Sequence, residues 1–115
     1  MRKVLILIPV YNDWESCKKL IVEINENIKK FEDINFECLI VNDASTVQAP
    51  ELLKPIRFSS IELLNMKENR GHARCNAFGI RYVFKNKKFD NLILMDGDGE
   101  DRPEEIKSLI EKIKE

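Results

Sequence analysis

The sequence of 115 residues predicts an α/β domain with a mainly parallel sheet of about four strands and helices on both faces. Two observations carry this prediction. Short apolar runs alternate along the chain with stretches of helical periodicity, and each apolar run is followed by small, polar or ionisable residues. A chain of this length is expected to form one domain, with right-handed crossovers between its parallel strands.

The first half of the chain supplies two strands and one helix. Residues 3–8, KVLILI, form the continuous apolar run of a strand that is buried on both faces. Asn12 and Glu15 have the spacing of a capping box, and apolar residues at helical spacing follow them. Residues 36–41 predict the second strand, and residues 51–56 allow one helical turn that Pro55 would end.

The second half supplies two more strands and two helices. Residues 60–65 predict an edge strand, and residues 72–86 predict a helix in which Gly79 costs about 1 kcal/mol relative to Ala. Residues 91–95 predict the fourth strand, and Pro103 suits the first turn of a last helix. The helix over 72–86 has one apolar face of Ala73, Ala77, Ile80 and Phe84, and the last helix would bury Ile106, Leu109, Ile110 and Ile113. The central strands should bury Ile6, Leu39, Ile40 and Leu94.

Composition and charge exclude several classes of protein. The formal net charge of -1 gives no overall basic field for nucleic acid. No apolar run approaches the roughly 20 residues of a transmembrane segment, and the apolar start is too short for a signal peptide. Three widely spaced cysteines favour neither a disulfide framework nor a zinc site. We therefore expect a cytoplasmic protein, with any membrane association belonging to a longer parent.

The residues that follow the four strands are the main functional signal. In parallel α/β sheets, ligands bind beyond the carboxyl ends of the strands, so these residues should meet at one edge. They are Pro9, Tyr11, Asn12 and Asp13 after the first strand, Asn42, Asp43 and Ser45 after the second, Asn69, Gly71, His72 and Arg74 after the third, and Asp96, Asp98 and Glu100 after the fourth.

The acidic loop after the fourth strand predicts a metal site. Gly97 between Asp96 and Asp98 lets the backbone turn tightly, so both carboxylates can face one point. Carboxylate oxygens suit Mg²⁺ or Mn²⁺, which keep open positions for substrate phosphates. A cation held in this way would bind a diphosphate that the carboxylates alone repel.

Two other interpretations of this loop are weaker. A calcium-binding EF-hand loop would need Gly at its sixth position and Glu at its twelfth, where Asp101 and Lys107 stand. A solvated acidic loop, in which Glu104 and Glu105 favour the N-terminus of the last helix, explains those two residues but is the weaker interpretation of Asp96 and Asp98.

Four further residues each have two interpretations. Asp43 is either a helix-capping residue or an acceptor of hydrogen bonds from a base, and Tyr11 either packs or stacks on a base. His72, which is the only histidine, fits a cap or surface residue better than a catalyst. Arg74 pairs either with phosphate or with the acidic loop.

Four motifs resemble those of the family 2 glycosyltransferases of GT-A fold. IPVYND, ECLIVNDAST, NRGHARCNAFGI and LILMDGDGEDRPEEI occur in the order and spacing of that family and cover essentially the whole chain. The last motif is most similar to the branch that contains polyprenyl-phosphate (dolichol-phosphate type) sugar synthases. The resemblance implies a Rossmann-like GT-A half.

The resemblance also implies ligands and site residues. The donor would be a nucleotide-diphosphate sugar, with UDP or GDP, the cofactor Mg²⁺ or Mn²⁺, and the acceptor a polyprenyl phosphate or a saccharide. Nucleotide binding is assigned to Pro9, Tyr11, Asp13, Asp43, Gly71, Arg74 and Asp96, metal binding to Asp96, Asp98 and Glu100, and a catalytic role to Asp98. Asp43 would contact the base, and Asp13 stands where the family commonly has Glu.

The sequence departs from the family pattern in three respects. Asn42 stands where many members have Asp, and Arg74 comes earlier after the glycine than the Arg of the common form. Family members are also much longer. We therefore expect residues 1–115 to be the nucleotide-sugar-binding part, without the C-terminal acceptor half and incomplete for turnover.

Three alternatives remain open at this point. A phospho-receiver signalling domain has a similar length and fold, but it would need an acidic pair after the first strand and a Lys after the last. A nucleotidyltransferase would have a Gly-rich basic signature after the first strand. A non-catalytic nucleotide-binding module differs from a glycosyltransferase only in the absence of turnover.

Overall fold

The computed structural model describes residues 1–96 and 102–114. Its elements in chain order are β1 (Arg2–Val10), α1 (Trp14–Ile28), β2 (Ile34–Asn42), β3 (Phe58–Asn65), α2 (His72–Asn86), β4 (Asn91–Leu94) and α3 (Glu105–Lys114). The strands form one sheet in the order β3-β2-β1-β4, and every neighbouring pair is parallel. The predicted α/β fold with four parallel strands is confirmed. The helical turn allowed at residues 51–56 does not form.

Helices cover both faces of the sheet, as predicted. Alternate residues of β1 point to opposite faces. Ile6 and Ile8 pack in a cluster with residues of α1 and α3, whereas Leu5 and Leu7 pack in a second cluster with Cys75 and other residues of α2. Since β1 also has a strand on either side, its residues from Val4 to Val10 are all buried.

Helix α2 approaches the sheet most closely at Gly79. A Cβ added at Gly79 would lie 2.7 Å from Leu7 Cδ1 and 2.8 Å from Val41 Cγ2, so the backbone of α2 nearly touches the sheet there. The inward residues are Cys75, Gly79 and Val83. The apolar face predicted from periodicity is therefore not the packed face: Ala73, Ala77 and Phe84 are exposed and Ile80 is half-buried. The close approach at Gly79, where no side chain separates the helix from the sheet, goes with the packed face rather than with the face predicted from apolar periodicity.

The predicted core is correct except in the last strand and the last helix. Ile6, Leu39 and Ile40 are buried, but Leu94 is 46% exposed. Within the part of the chain that the structure describes, β4 pairs only with β1, and α2 does not extend over Leu94. Helix α3 buries Ile106 and Ile110 and half-buries Ile113, whereas Leu109 is exposed.

The described helices are all too short or too polar to cross a bilayer.

Candidate functional site

A cleft of about 290 Å³ opens at the carboxyl edge of the sheet. It lies between the ends of β1 and β2 and the start of α2. Its lining residues are Pro9, Val10, Tyr11, Asp43, Asn69, Gly71, His72 and Cys75. Residues that follow three different strands therefore meet where the rule for parallel sheets places a ligand.

Asp43 organises the wall of the cleft. Its side chain is buried, and its Oδ1 accepts a hydrogen bond from Arg70 N at 2.9 Å while its Oδ2 accepts one from Gly71 N at 3.0 Å. Asn69 Nδ2 also lies within hydrogen-bond distance of Oδ2, at 3.3 Å. A carboxylate has about four lone-pair positions, so these three bonds leave capacity for one more donor. Asp43 thus holds the 69–71 loop and still lines the cleft.

Gly71 has a backbone conformation that favours glycine. It is the N-cap of α2 with φ of 85°, and a Cβ added there would meet no atom within 4 Å. The positive φ, rather than crowding, is therefore what selects glycine at this position. The bare backbone leaves the cleft open beside the first turn of α2.

Cys75 closes the floor of the cleft as a neutral thiol. Burial, followed by the neighbouring charge of Asp43, raises the pKa of the Cys75 thiol to about 12. Its Sγ donates to the carbonyl oxygen of Val41 at 3.6 Å. The protonation of this thiol at neutral pH makes it a packing group and not a nucleophile.

Asn12 fixes the loop that carries Tyr11. Asn12 has φ of 62°, and its Oδ1 accepts hydrogen bonds from Thr46 N at 2.8 Å and Val47 N at 3.0 Å. Its own backbone N donates to Ser45 Oγ at 2.8 Å. The loop after β1 is thereby joined to the segment after β2, and Tyr11 is presented at the cleft with 47% of its surface exposed.

Three predicted nucleotide-binding residues, Asp13, Arg74 and Asp96, do not line this cleft. Asp13 is the N-cap of α1, where its carboxylate accepts from Ser16 N at 3.3 Å. The prediction that Asn12 caps this helix is wrong, because the Asn12 side chain is hydrogen-bonded to the segment after β2. Arg74 points instead into a separate groove beside the outer face of α2.

Asn42, the residue that departs from the family pattern, has a structural role. Its Nδ2 donates to Asn65 Oδ1 at 2.9 Å, and its Oδ1 accepts from Ser45 N at 3.0 Å. An amide can both donate and accept, so Asn42 links the ends of β2 and β3 and also holds the segment after β2.

The first predicted metal ligand adjoins the cleft. Asp96 follows β4, and its Oδ2 lies 3.3 Å from Nε2 of His72, a cleft-lining residue. Asp98 and Glu100 lie outside the described residues. Over residues 1–96 and 102–114, no three acidic, His or Cys side chains are grouped as a metal site would require. The described donor set is therefore one carboxylate at the strand end, which is compatible with a hard cation.

The sequence interpretation misses part of the cleft. Val10 and Cys75 carry no signal of their own, because apolar and small residues at strand ends and in helices usually pack. Asn69 and His72, which were predicted at this edge as polar residues after the third strand but were given no ligand, both line the cleft.

Known proteins resemble this chain over its whole length. The sequence profile of the family described as "Glycosyl transferase family 2" matches residues 5–115. An uncharacterized glycosyltransferase of Bacillus subtilis (strain 168), YkcC, is 30% identical over 96% of this chain and 33% of its own length. An undecaprenyl-phosphate 4-deoxy-4-formamido-L-arabinose transferase of Salmonella choleraesuis (strain SC-B67) is 29% identical over 100% of this chain and 35% of its own. The chain spans about a third of the length of these relatives.

Proposed function

Since the chain belongs to glycosyl transferase family 2, we propose that it binds a nucleotide-diphosphate sugar, with UDP or GDP, as the donor for glycosyl transfer. The observation that carries this proposal is the cleft at the carboxyl edge of the sheet, where Tyr11, Asp43 and Gly71 meet next to Asp96. Family membership sets aside the phospho-receiver and nucleotidyltransferase alternatives.

The nucleoside would occupy the cleft. The exposed ring of Tyr11 offers a surface on which a base stacks, and buried Pro9 supports the wall beside it. Asp43 retains acceptor capacity for a base N–H, since its three loop bonds do not fill its lone pairs. Hydrogen bonds to a buried, oriented carboxylate would give the cleft its preference among bases.

The diphosphate would lie toward β4. We assign Mg²⁺ or Mn²⁺ to Asp96, Asp98 and Glu100, with Asp98 as the catalytic carboxylate. When bound, such a cation neutralises the charge that develops on the departing diphosphate. The positions of the described residues support this location for the diphosphate. Asp96 is at the strand end, and His72 lies between it and the cleft.

The acceptor in this proposal is a polyprenyl phosphate. The name of the Salmonella relative specifies undecaprenyl phosphate, and the motif over residues 92–106 resembles that branch. The alternative acceptor is a saccharide, and a transfer assay distinguishes it from a polyprenyl phosphate. Because we expect residues 1–115 to be incomplete for turnover, incubation of this chain with Mn²⁺, a sugar nucleotide and either acceptor should give no transfer product by mass spectrometry. A glycolipid or a saccharide product would identify the acceptor and contradict that expectation.

Donor binding is tested directly by calorimetry. We expect UDP or GDP to bind in the presence of Mn²⁺, and Tyr11→Ala to weaken binding about 10-fold, because base stacking on an aromatic ring contributes about 1–3 kcal/mol. Phe84→Ala is the control, since it removes an exposed aromatic ring on α2 outside the cleft. Equal affinities for the wild type and Tyr11→Ala would contradict the assignment of the cleft.

A further inference from the structure

A second groove, of about 720 Å³, runs along the outer side of α2. It lies between this helix and the segment that follows β3. Its lining residues are Asn65, Met66, Lys67, Glu68, Arg70, Arg74, Ala77, Phe78 and Arg81. None of these residues lines the nucleotide cleft, so the two concavities are distinct.

The second groove is strongly basic although the whole chain has a formal net charge of -1. Four cationic side chains line it: Lys67, Arg70, Arg74 and Arg81. The single acidic residue in the lining, Glu68, pairs with Arg70 at 2.9 Å. Over residues 1–96 and 102–114, the other three cations form no ion pair with a carboxylate. Uncompensated cations in one concavity favour an anionic ligand.

Apolar side chains accompany these cations on α2, where Phe78 is half-buried and Ala77 is exposed. Ala77 and Phe78 lie between Arg74 and Arg81 along the helix and line the same groove. One turn further on, Phe84 is 68% exposed. Cationic and apolar side chains together on the outer face of a helix are typical of contact with a lipid headgroup region. Inorganic phosphate or pyrophosphate would gain nothing from the exposed phenyl ring.

We propose that the groove and the outer face of α2 dock on an anionic phospholipid surface. Headgroup phosphates would pair with Lys67, Arg74 and Arg81, and Phe84 would enter the interface. The groove and the nucleotide cleft share the loop before α2, in which Arg70 lines one and Gly71 the other. Docking would therefore bring the cleft edge close to a lipid-linked acceptor, and this last consequence alone rests on the proposed function.

Vesicle flotation in the absence of any sugar nucleotide tests the docking. The wild-type chain should float with vesicles of equal parts phosphatidylglycerol and phosphatidylcholine at low salt, and not with phosphatidylcholine alone. The double variant Lys67→Gln/Arg81→Gln should lower the partition coefficient about 25-fold, because each lost cation lowers it about 5-fold. Lys18→Gln/Lys112→Gln is the matched control: it removes the same charge from exposed positions on α1 and α3, on the opposite face of the sheet, and should change partition by less than about 2-fold.

Three results would overturn the docking proposal. The wild type could stay out of anionic vesicles, or the control variant could lose as much binding as the groove variant. Inorganic pyrophosphate could bind by calorimetry and depend on Lys67 and Arg81 without vesicle binding, which would indicate a soluble phosphate ligand instead. UDP binding measured in the same variants keeps the two proposals separate, because neither Lys67 nor Arg81 lines the nucleotide cleft.

Discussion

Asp43 accepts a hydrogen bond from the backbone N–H of Gly71 at 3.0 Å, across 28 positions of the chain. This contact joins the end of β2 to the N-cap of α2, and the second oxygen of the same carboxylate accepts from Arg70 N. The end of one strand and the start of one helix are thereby held at a fixed separation. The cleft at the carboxyl edge of the sheet is the space between them and the loop after β1.

Asp43→Asn should destabilise the fold and weaken nucleotide binding. An amide nitrogen would replace one acceptor and face a backbone N–H, which leaves a buried donor unsatisfied at a cost of about 1–3 kcal/mol. Chemical denaturation gives the stability change, and calorimetry with UDP or GDP gives the affinity. Asp13→Asn is the control, because Asn caps a helix about as well as Asp and Asp13 is outside the cleft. Equal stabilities for the two variants would refute the role of Asp43.

Asn12→Ala should destabilise more than Asn12→Gly. Both variants lose the two hydrogen bonds that Asn12 Oδ1 accepts from the backbone of Thr46 and Val47, at about 1 kcal/mol each. Only alanine also retains a Cβ at φ of 62°, which costs a further 1 kcal/mol or so. Thermal unfolding of both variants measures the difference. If alanine is the more stable of the two, the positive φ is not the constraint that we infer.

Gly79→Ala should destabilise although alanine is the better helix former. The added Cβ would overlap Leu7 and Val41, and such overpacking costs about 1–3 kcal/mol, more than the roughly 1 kcal/mol gained in helix propensity. Leu7→Val shortens the side chain that is closest to the new Cβ. In a double-mutant cycle, Gly79→Ala should therefore be less harmful in the Leu7→Val background. Additive effects would show that α2 shifts freely on the sheet.

Glu62→Gln should remove a pH-dependent contribution to stability. The Glu62 carboxylate accepts from Lys87 and Tyr82, and these bonds, that of Lys87 first, hold the pKa of Glu62 below its ordinary value of 4.5. A depressed pKa stabilises the fold above the unfolded-state value, and the effect is lost as the pH falls through the folded-state pKa. Glu62 is partly exposed, so the effect should be under about 1 kcal/mol at pH 7.

Urea denaturation at pH 7 and at about pH 3 measures the Glu62 effect. The stability difference between the wild type and Glu62→Gln should be present at the higher pH and vanish at the lower one. Glu26→Gln, which removes a carboxylate paired with Lys29 on the surface of α1, serves as the control. A difference that persists in acid would mean that the Glu62 side chain acts through packing instead of charge.

Asp96→Ala should abolish the contribution of Mn²⁺ to nucleotide affinity. If Asp96 is a metal ligand, UDP or GDP should bind at least about 10-fold more tightly with Mn²⁺ in the wild type and equally with and without it in the variant. Asp33→Ala is the control: it removes an exposed carboxylate that pairs with Lys114, and it should leave the Mn²⁺ effect unchanged. An undiminished Mn²⁺ effect in Asp96→Ala would exclude this residue as a ligand.

The sequence by itself determined the order and type of the elements. A buried parallel strand requires a continuous apolar run, and an amphipathic helix requires periodicity, so the four strands and three helices could be read locally. Helix α2 extends over His72–Asn86, as predicted. The sequence also predicted which residues meet at the carboxyl edge of the sheet, because parallel strands necessarily bring their carboxyl ends together. Pro9, Tyr11, Asp43 and Gly71 were predicted on that basis or from the family resemblance, and all four line the cleft.

Only the tertiary structure decided how these elements meet. Periodicity gives the spacing of a helix face but not which face approaches the sheet. On α2 the face that carries Cys75 and Gly79 packs on the sheet, because these small residues allow the closest approach. The roles of Asn12 and Asp43 depend on hydrogen bonds to residues more than 25 positions away, which no local pattern encodes. The grouping of Lys67, Arg74 and Arg81 in one groove likewise exists only because α2 packs beside the end of β3. Such contacts are set by the folded geometry of distant segments, and a linear pattern does not contain that geometry.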